Sequence, residues 1–253
     1  MGYHRYVALG DSTTEGLEDR YPNGDYRGWA DRLAELLAPL EGDFRYANLA
    51  VRGKCAHQIR ADQLDAAIAL EPDLASILAG LNDVLRRTVD IDKIAGEIEA
   101  MARTLRGAGA DLIIVTLPDP VRVNPLARIA ARHVVALNER IRAIAAANQA
   151  FVVDLEAHPV ASDPRLWHVD RLHGNPEGHR RIAAAAAELL SLPGADHSWA
   201  DDFPSDLAMR LHQRVIAHAV WAHVYFRPWL MRRVRGRSSG DGRVAKRPQL
   251  EAL

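Results

Sequence analysis

A parallel α/β sheet covered on both faces is the fold class this sequence predicts, and three observations predict it. Short apolar runs recur along the chain, helical patterns separate them, and the alternation continues over about 190 residues. Strands separated by whole helices return to the same end of a sheet, so they pair in parallel rather than as hairpins. The expected arrangement is a three-layer α/β/α sandwich with right-handed crossovers.

The elements follow in order. Tyr6–Leu9 is apolar and is closed by Gly10 and Asp11, which reads as the first strand. Phe44–Leu49, Leu74–Leu78, Leu112–Leu117 and Phe151–Leu155 are similar runs, partly β-branched and bounded by Gly, Pro, Asp or Asn. Between and after them, Gly28–Leu40, Ala56–Ala69, Ile91–Ala108, Pro125–Ala147 and Pro176–Leu190 are rich in Ala, Leu, Arg and Glu, with apolar residues at i, i+3 and i+4. Asn124-Pro125 and Asn175-Pro176 each place a capping side chain before a proline at the first helical position.

The chain of 253 residues accommodates one domain of about 200 residues plus an appendage. Residues 1–193 form the expected catalytic unit and 194–235 a helical C-terminal extension. Within the extension, Leu207–Phe226 is helical and carries His212, His218, Trp221, His223 and Tyr225. Residues 236–253 are expected to be a disordered basic tail, because Gly236–Gly242 offers no apolar side chain to bury. Lys and Arg total 32 against 33 Asp and Glu, so the whole molecule has no field that selects a polyanion, and nucleic acid is not an expected partner. With Cys55 alone, no intrachain disulfide can form. The N-terminus lacks a secretory pattern and no run approaches the length of a membrane span, so a cytoplasmic location is expected. The oligomeric state is not legible. A membrane-surface contact through Trp221, Phe226, Trp229, Leu230 and the following arginines is a weaker expectation than a helix packed on the domain.

Loops at the carboxyl ends of parallel strands converge on one edge of an open sheet. The unusual residues fall there: Ser12 after the first strand, Gly53 after the second, Asn82 after the third, Pro118-Asp119-Pro120 after the fourth, and Asp170 with His173 after the fifth. Acyl transfer needs a hydroxyl, a base, a group that orients the base, and donors for the oxyanion. Ser12 is the candidate nucleophile, His173 the base and Asp170 its partner. The Ser12 and Gly53 backbone N–H groups and the Asn82 amide are the candidate oxyanion donors, with Asp11 and Asp83 as loop supports. Leu17, Leu81, Pro118 and Val121 are candidate pocket walls.

Gly10-Asp11-Ser12, Gly53, Gly80-Leu81-Asn82-Asp83 and Asp170-Arg171-Leu172-His173 resemble, in order and spacing, the four blocks of the SGNH hydrolase family, the GDSL esterases and lipases. The resemblance covers residues 5 to about 192. It implies a flavodoxin-like five-stranded sheet of order 2-1-3-4-5, a Ser-His-Asp triad, and the oxyanion hole just named. Thr13 stands where the name-giving motif has leucine, and Gly174 where a proline often follows the histidine; neither position carries a catalytic role.

The expected activity is therefore hydrolysis of a small-molecule carboxylic ester with a short acyl chain, through an acyl-enzyme and without a cofactor. Lysophospholipid hydrolysis, carbohydrate deacetylation and thioester hydrolysis share the same blocks, and a non-catalytic binding module is the reading from another class. His168, Asp170 and His173 could in principle ligate zinc or iron, but nothing else in the sequence completes such a site, and no metal is expected. Gly10–Gly16 lacks the glycine and lysine spacing of a phosphate cradle.

Overall fold

In the computed structural model, which describes residues 2–124, 127–204, 219–235 and 237–253, five parallel strands carry the molecule. They are β1 (Arg5–Gly10), β2 (Arg45–Asn48), β3 (Leu74–Leu78), β4 (Asp111–Val115) and β5 (Phe151–Val153), in the order 2-1-3-4-5. β1 lies between β2 and β3, with Tyr6 opposite both Tyr46 and Leu74. All five residues of β3, and all of β1 after Arg5, are buried, as expected of strands covered on both faces. Each large apolar side chain buried here contributes about 1.5–3 kcal/mol. Inside the sheet the buried Tyr6 hydroxyl and Ser76 Oγ satisfy each other at 2.8 Å.

The helices are α1 (Ser12–Glu15), α2 (Gly28–Leu37), α3 (Ala56–Ala69), α4 (Leu81–Val84), α5 (Ile91–Gly107), α6 (Pro120–Val123), α7 (Arg128–Ala147) and α8 (Pro176–Leu189). α2 packs on α8, and α5 packs on both α3 and α7, which gives the two helical layers. Asn175 caps α8, accepting from the Glu177 and Gly178 amides at 3.0 Å. The expected cap at Asn124 is not used for α7: that helix begins at Arg128 behind Ala127, with no capping side chain, and Asn124 stands instead at the C-terminal cap of α6, while Pro125 lies outside the described residues. His179 joins α8 to α2 and to the loop before it. Its Nδ1 accepts from the Trp29 amide at 3.1 Å and its Nε2 donates to the Leu17 carbonyl at 2.9 Å, so burial drives its pKa down to about 4 and the ring is neutral.

The C-terminus departs from expectation. Residues 247–251, read as part of a disordered tail, form β6 (Arg247–Glu251), antiparallel to β2, with Tyr46 opposite Glu251 and Asn48 opposite Arg247. Composition missed this because strand pairing uses backbone groups, and β2 would otherwise present an open row of them at the sheet edge. Lys246 anchors the strand: its Nζ donates to Asp31 Oδ2 at 2.6 Å and to the Tyr26 and Arg27 carbonyls. Before β6, a π-helical turn (Ala222–Phe226) continues into α9 (Arg227–Val234). Most of the expected helix 207–226, with His212 and His218, lies outside the described residues, as does the Trp229 side chain. Among the described residues no helix is long and apolar enough to cross a membrane.

Candidate active site

Where β1 ends, the chain turns into α1 with only Asp11 between them. Gly10 is required by close approach: a Cβ there would meet the Leu78 carbonyl oxygen at 2.8 Å and Thr14 Oγ1 at 2.5 Å. Gln63 of α3 grips the same residue with its amide, accepting from the Gly10 N–H and donating to its carbonyl, both at 2.9 Å. Asp11 caps α1 by accepting from the Thr13 amide at 3.2 Å. Ser12 is thereby the first residue of α1, and its backbone N–H bonds to no described residue, as is usual in a first helical turn.

The second loop is held from below by charge. Glu15 and Arg52 form an ion pair buried on both sides, in which Glu15 also accepts from the Arg52 backbone N–H at 2.7 Å. Gly53 follows with a φ of +77°, a conformation that favours glycine, and its N–H also bonds to no described residue. Asn82, second residue of α4, reaches back: its Nδ2 donates to Asp11 Oδ2 at 2.8 Å and to the Lys54 carbonyl at 3.0 Å. The Asn82 amide, read from sequence as an oxyanion donor, therefore spends its hydrogens on tying three loops together. Asp83 accepts from the Ala56 amide at 2.9 Å and so fixes the start of α3.

In the loop after β5, Asp170 Oδ2 and His173 Nδ1 are 2.7 Å apart, and Asp170 Oδ1 accepts from the Leu172 and His173 amides. Arg171 between them takes a φ of +60°, which folds the loop tightly enough for a three-residue spacing to close on itself. Burial alone would raise the Asp170 carboxyl, but the bond to His173, its charge and the two backbone donors outweigh this and hold it at about 2. Asp11 shows the opposite outcome. Complete burial pushes its carboxyl up to about 7, even though the Thr13 amide, the His173 ring and the Asn82 amide all favour its ionised form.

Ser12, Gly53, Asn82, Asp170 and His173 line one cleft of about 560 Å³, together with Leu17. No hydrogen bond joins Ser12 to His173, whose Nδ1 is committed to Asp170. Leu81 and Pro118 line a separate apolar cavity of about 50 Å³ that includes Thr13 and Gly174, the chain neighbours of Ser12 and His173. Val121 lines neither. Two groups could share a cation among the described residues: Cys55 with His57 and Asp83, and Glu18 with His168 and Asp170. In the second, Asp170 already serves His173.

Residues that sequence reasoning missed are Gln63, Glu15 and Arg52, which carry no motif and act through contacts 37 to 53 positions away. Also missed was the C-terminal wall. Trp221 Nε1 donates to the Asp170 carbonyl at 2.7 Å, its ring lies under the Arg171 guanidinium, and Ser238 Oγ donates to the Gly53 carbonyl at 3.3 Å.

The pattern of the GDSL-like Lipase/Acylhydrolase family matches residues 8–181, a span that holds all five cleft residues and excludes everything from α9 onward. A curated relative, GDSL lipase Rv0518 of Mycobacterium tuberculosis, is 26% identical over 196 residues, covering 74% of this chain and 81% of the relative. Among solved structures, TesA is 23% identical with a TM-score of 0.62, covering 74% of this chain and 98% of its own. Axe2, an acetylxylan esterase from Geobacillus stearothermophilus, is 21% identical with a TM-score of 0.64, covering 77% and 97%. The psychrotrophic esterase EstA from Pseudoalteromonas sp. is 19% identical with a TM-score of 0.59, covering 74% and 97%. At these identities the structural likeness is one of fold.

Proposed function

The chain belongs to the GDSL-like lipase/acylhydrolase family, and on that premise we propose that it hydrolyses carboxylic esters through an acyl-enzyme on Ser12. The observation that carries this reading is the meeting of Ser12, His173, Asp170, Gly53 and Asn82 in one cleft, with the Asp170–His173 pair at 2.7 Å.

Ser12 Oγ attacks the ester carbonyl while its proton passes to His173 Nε2, and Asp170 stabilises the imidazolium that results. The negative charge developing on the carbonyl oxygen meets the Ser12 and Gly53 N–H groups, the two donors with no described partner. Asn82 joins them if one of its amide hydrogens leaves Asp11 or Lys54, a rearrangement made easier by the raised pKa of Asp11, since a neutral carboxyl holds the amide less strongly. Collapse expels the alcohol, which takes the proton from His173. Water then repeats the sequence, releasing the acid and returning the proton to Ser12.

The apolar cavity beside Thr13 and Gly174, at about 50 Å³, suits a short acyl chain better than a long one. A curated relative described as a lipase and a neighbour described as an acetylxylan esterase are both consistent with ester cleavage. The test is labelling with a fluorophosphonate followed by peptide mapping, with p-nitrophenyl acetate, butyrate and octanoate as substrates. The expected result is a single adduct on Ser12 and a preference for acetate or butyrate; labelling elsewhere, or equal turnover by Ser12→Ala, overturns the reading.

A further inference from the structure

Beyond Gly53 and Asn82 the cleft opens into a second, polar space of about 580 Å³, which shares those two residues, Arg232 and Ser239 with it. Its walls carry Arg86 and Arg87 from the segment after α4, Arg232 from α9, and Arg237 just beyond. Among the described residues Asp241 is the one acidic residue lining it, and its carboxylate already accepts from the Ser238 amide at 2.9 Å. Arg86 donates to Cys55 Sγ, but the side chains of Arg87, Arg232 and Arg237 make no ion pair or hydrogen bond to a described residue. All four arginines are exposed.

Four like charges around one space repel each other, an arrangement that costs energy until an anion enters. Planar guanidinium groups bind phosphate and carboxylate oxygens in pairs, and a cation cluster open to one cleft concentrates anions there.

We propose that this annex is an anion subsite for the alcohol portion of the substrate, so that the protein favours short-chain esters whose leaving group carries a phosphate. The proposal rests on the ester-hydrolase reading above and adds the substrate class. The assignment to the alcohol side follows from the two spaces available: the small apolar cavity suits the acyl chain, and the charged annex is the larger space left for the leaving group. Arg232, Arg237, Ser238, Ser239 and Asp241, close to half of the lining, lie outside the span that matches the family. β6 and the Lys246–Asp31 pair hold that part in place, and Ser238 is bonded directly to Gly53.

The experiment compares phenyl acetate with the acetate ester of 4-hydroxyphenyl phosphate, in wild type and in Arg87→Gln and Arg232→Gln, at 20 and 500 mM salt. In parallel, binding of 4-hydroxyphenyl phosphate and of hydroquinone to Ser12→Ala is measured by calorimetry. The expected result is a charged-to-neutral kcat/KM ratio well above one, falling about tenfold per arginine removed and collapsing at high salt, with tighter binding of the phosphate compound. A ratio at or below one, or a ratio that neither substitution nor salt moves, overturns the subsite. If neither ester is cleaved, the ester-hydrolase reading falls, and the calorimetry still decides the subsite: equal affinity for the two ligands overturns it.

Discussion

The two sides of the cleft are built on different physical terms. On the side of the family-matched body, the polar groups that set the geometry are buried and mutually bonded: Gln63 on Gly10, Glu15 on Arg52, Asp11 on Thr13 and Asn82, Asp170 on His173. On the C-terminal side the prominent groups are exposed arginines on α9 and the loop before β6. Bond-making chemistry fails when reacting atoms move by a fraction of an ångström, so those atoms are held by groups that cannot reorient without losing a buried hydrogen bond. Charge recognition acts over several ångströms and tolerates long side chains in water. The body is thus suited to performing a reaction, and the C-terminal segment to choosing what undergoes it.

The contrast is broken most directly at the nucleophile. Ser12→Ala and His173→Ala are each expected to lower kcat by about 10⁴–10⁶ with the fold intact, measured by steady-state kinetics beside circular dichroism. A smaller loss, or loss of both activity and fold, would remove these residues from the reacting group. Asp170→Asn should cost about 10³–10⁴ in kcat, because the amide cannot stabilise the imidazolium and favours the wrong tautomer. Since the Asp170 carboxyl sits near 2, its folded pKa is depressed; the stability it contributes is present above pH 3.8 and is lost only as pH falls through about 2.

Smaller effects sharpen the comparison. Asn82→Ala is expected to lower kcat by about 10²–10³ if the amide is released to the oxyanion, and by much less if it only ties the loops together, which pre-steady-state acylation rates would separate. Lys246→Ala leaves Asp31 buried without its cation and should lower stability by about 1–3 kcal/mol in urea titration, with the larger kinetic effect on esters that use the C-terminal wall. The smallest effect lies in the pH dependence of stability. Burial raises Asp31 to about 6 and Asp11 to about 7 from 3.8, so the stability linked to each is fully present below pH 3.8 and is lost as pH rises through those values. Asp31→Asn and Asp11→Asn should flatten the decline of the urea midpoint between pH 4 and 8; an unchanged slope would mean neither carboxyl binds a proton in that range.

Much of this was legible in the chain itself. Leu74–Leu78 was readable to the residue as a short continuous apolar run, and Ala56–Ala69 as a helix-forming stretch free of glycine and proline. Elsewhere the ends moved by one to three residues: Phe151–Leu155 shortened to Phe151–Val153, where the backbone leaves the ladder before the apolar residues end. Residues that meet at the sheet edge could be named because a parallel sheet obliges its carboxyl-end loops to converge.

What local pattern could not supply was any partnership whose two members lie far apart with no shared period. Gln63 pairs with Gly10 across 53 positions and Lys246 with Asp31 across 215, and neither side chain differs in sequence from one that faces water. The tail is the sharpest case. By composition it is a polar, basic segment with little to bury, and by itself it has no reason to order. It becomes a strand because β2 ends the parallel sheet with backbone donors and acceptors that need partners, and because a buried carboxylate on α2 needs a cation. Sequence by itself determined which residues could perform the chemistry and at which edge they gather; only the tertiary structure decided what walls that edge, since both needs exist only once the sheet has formed.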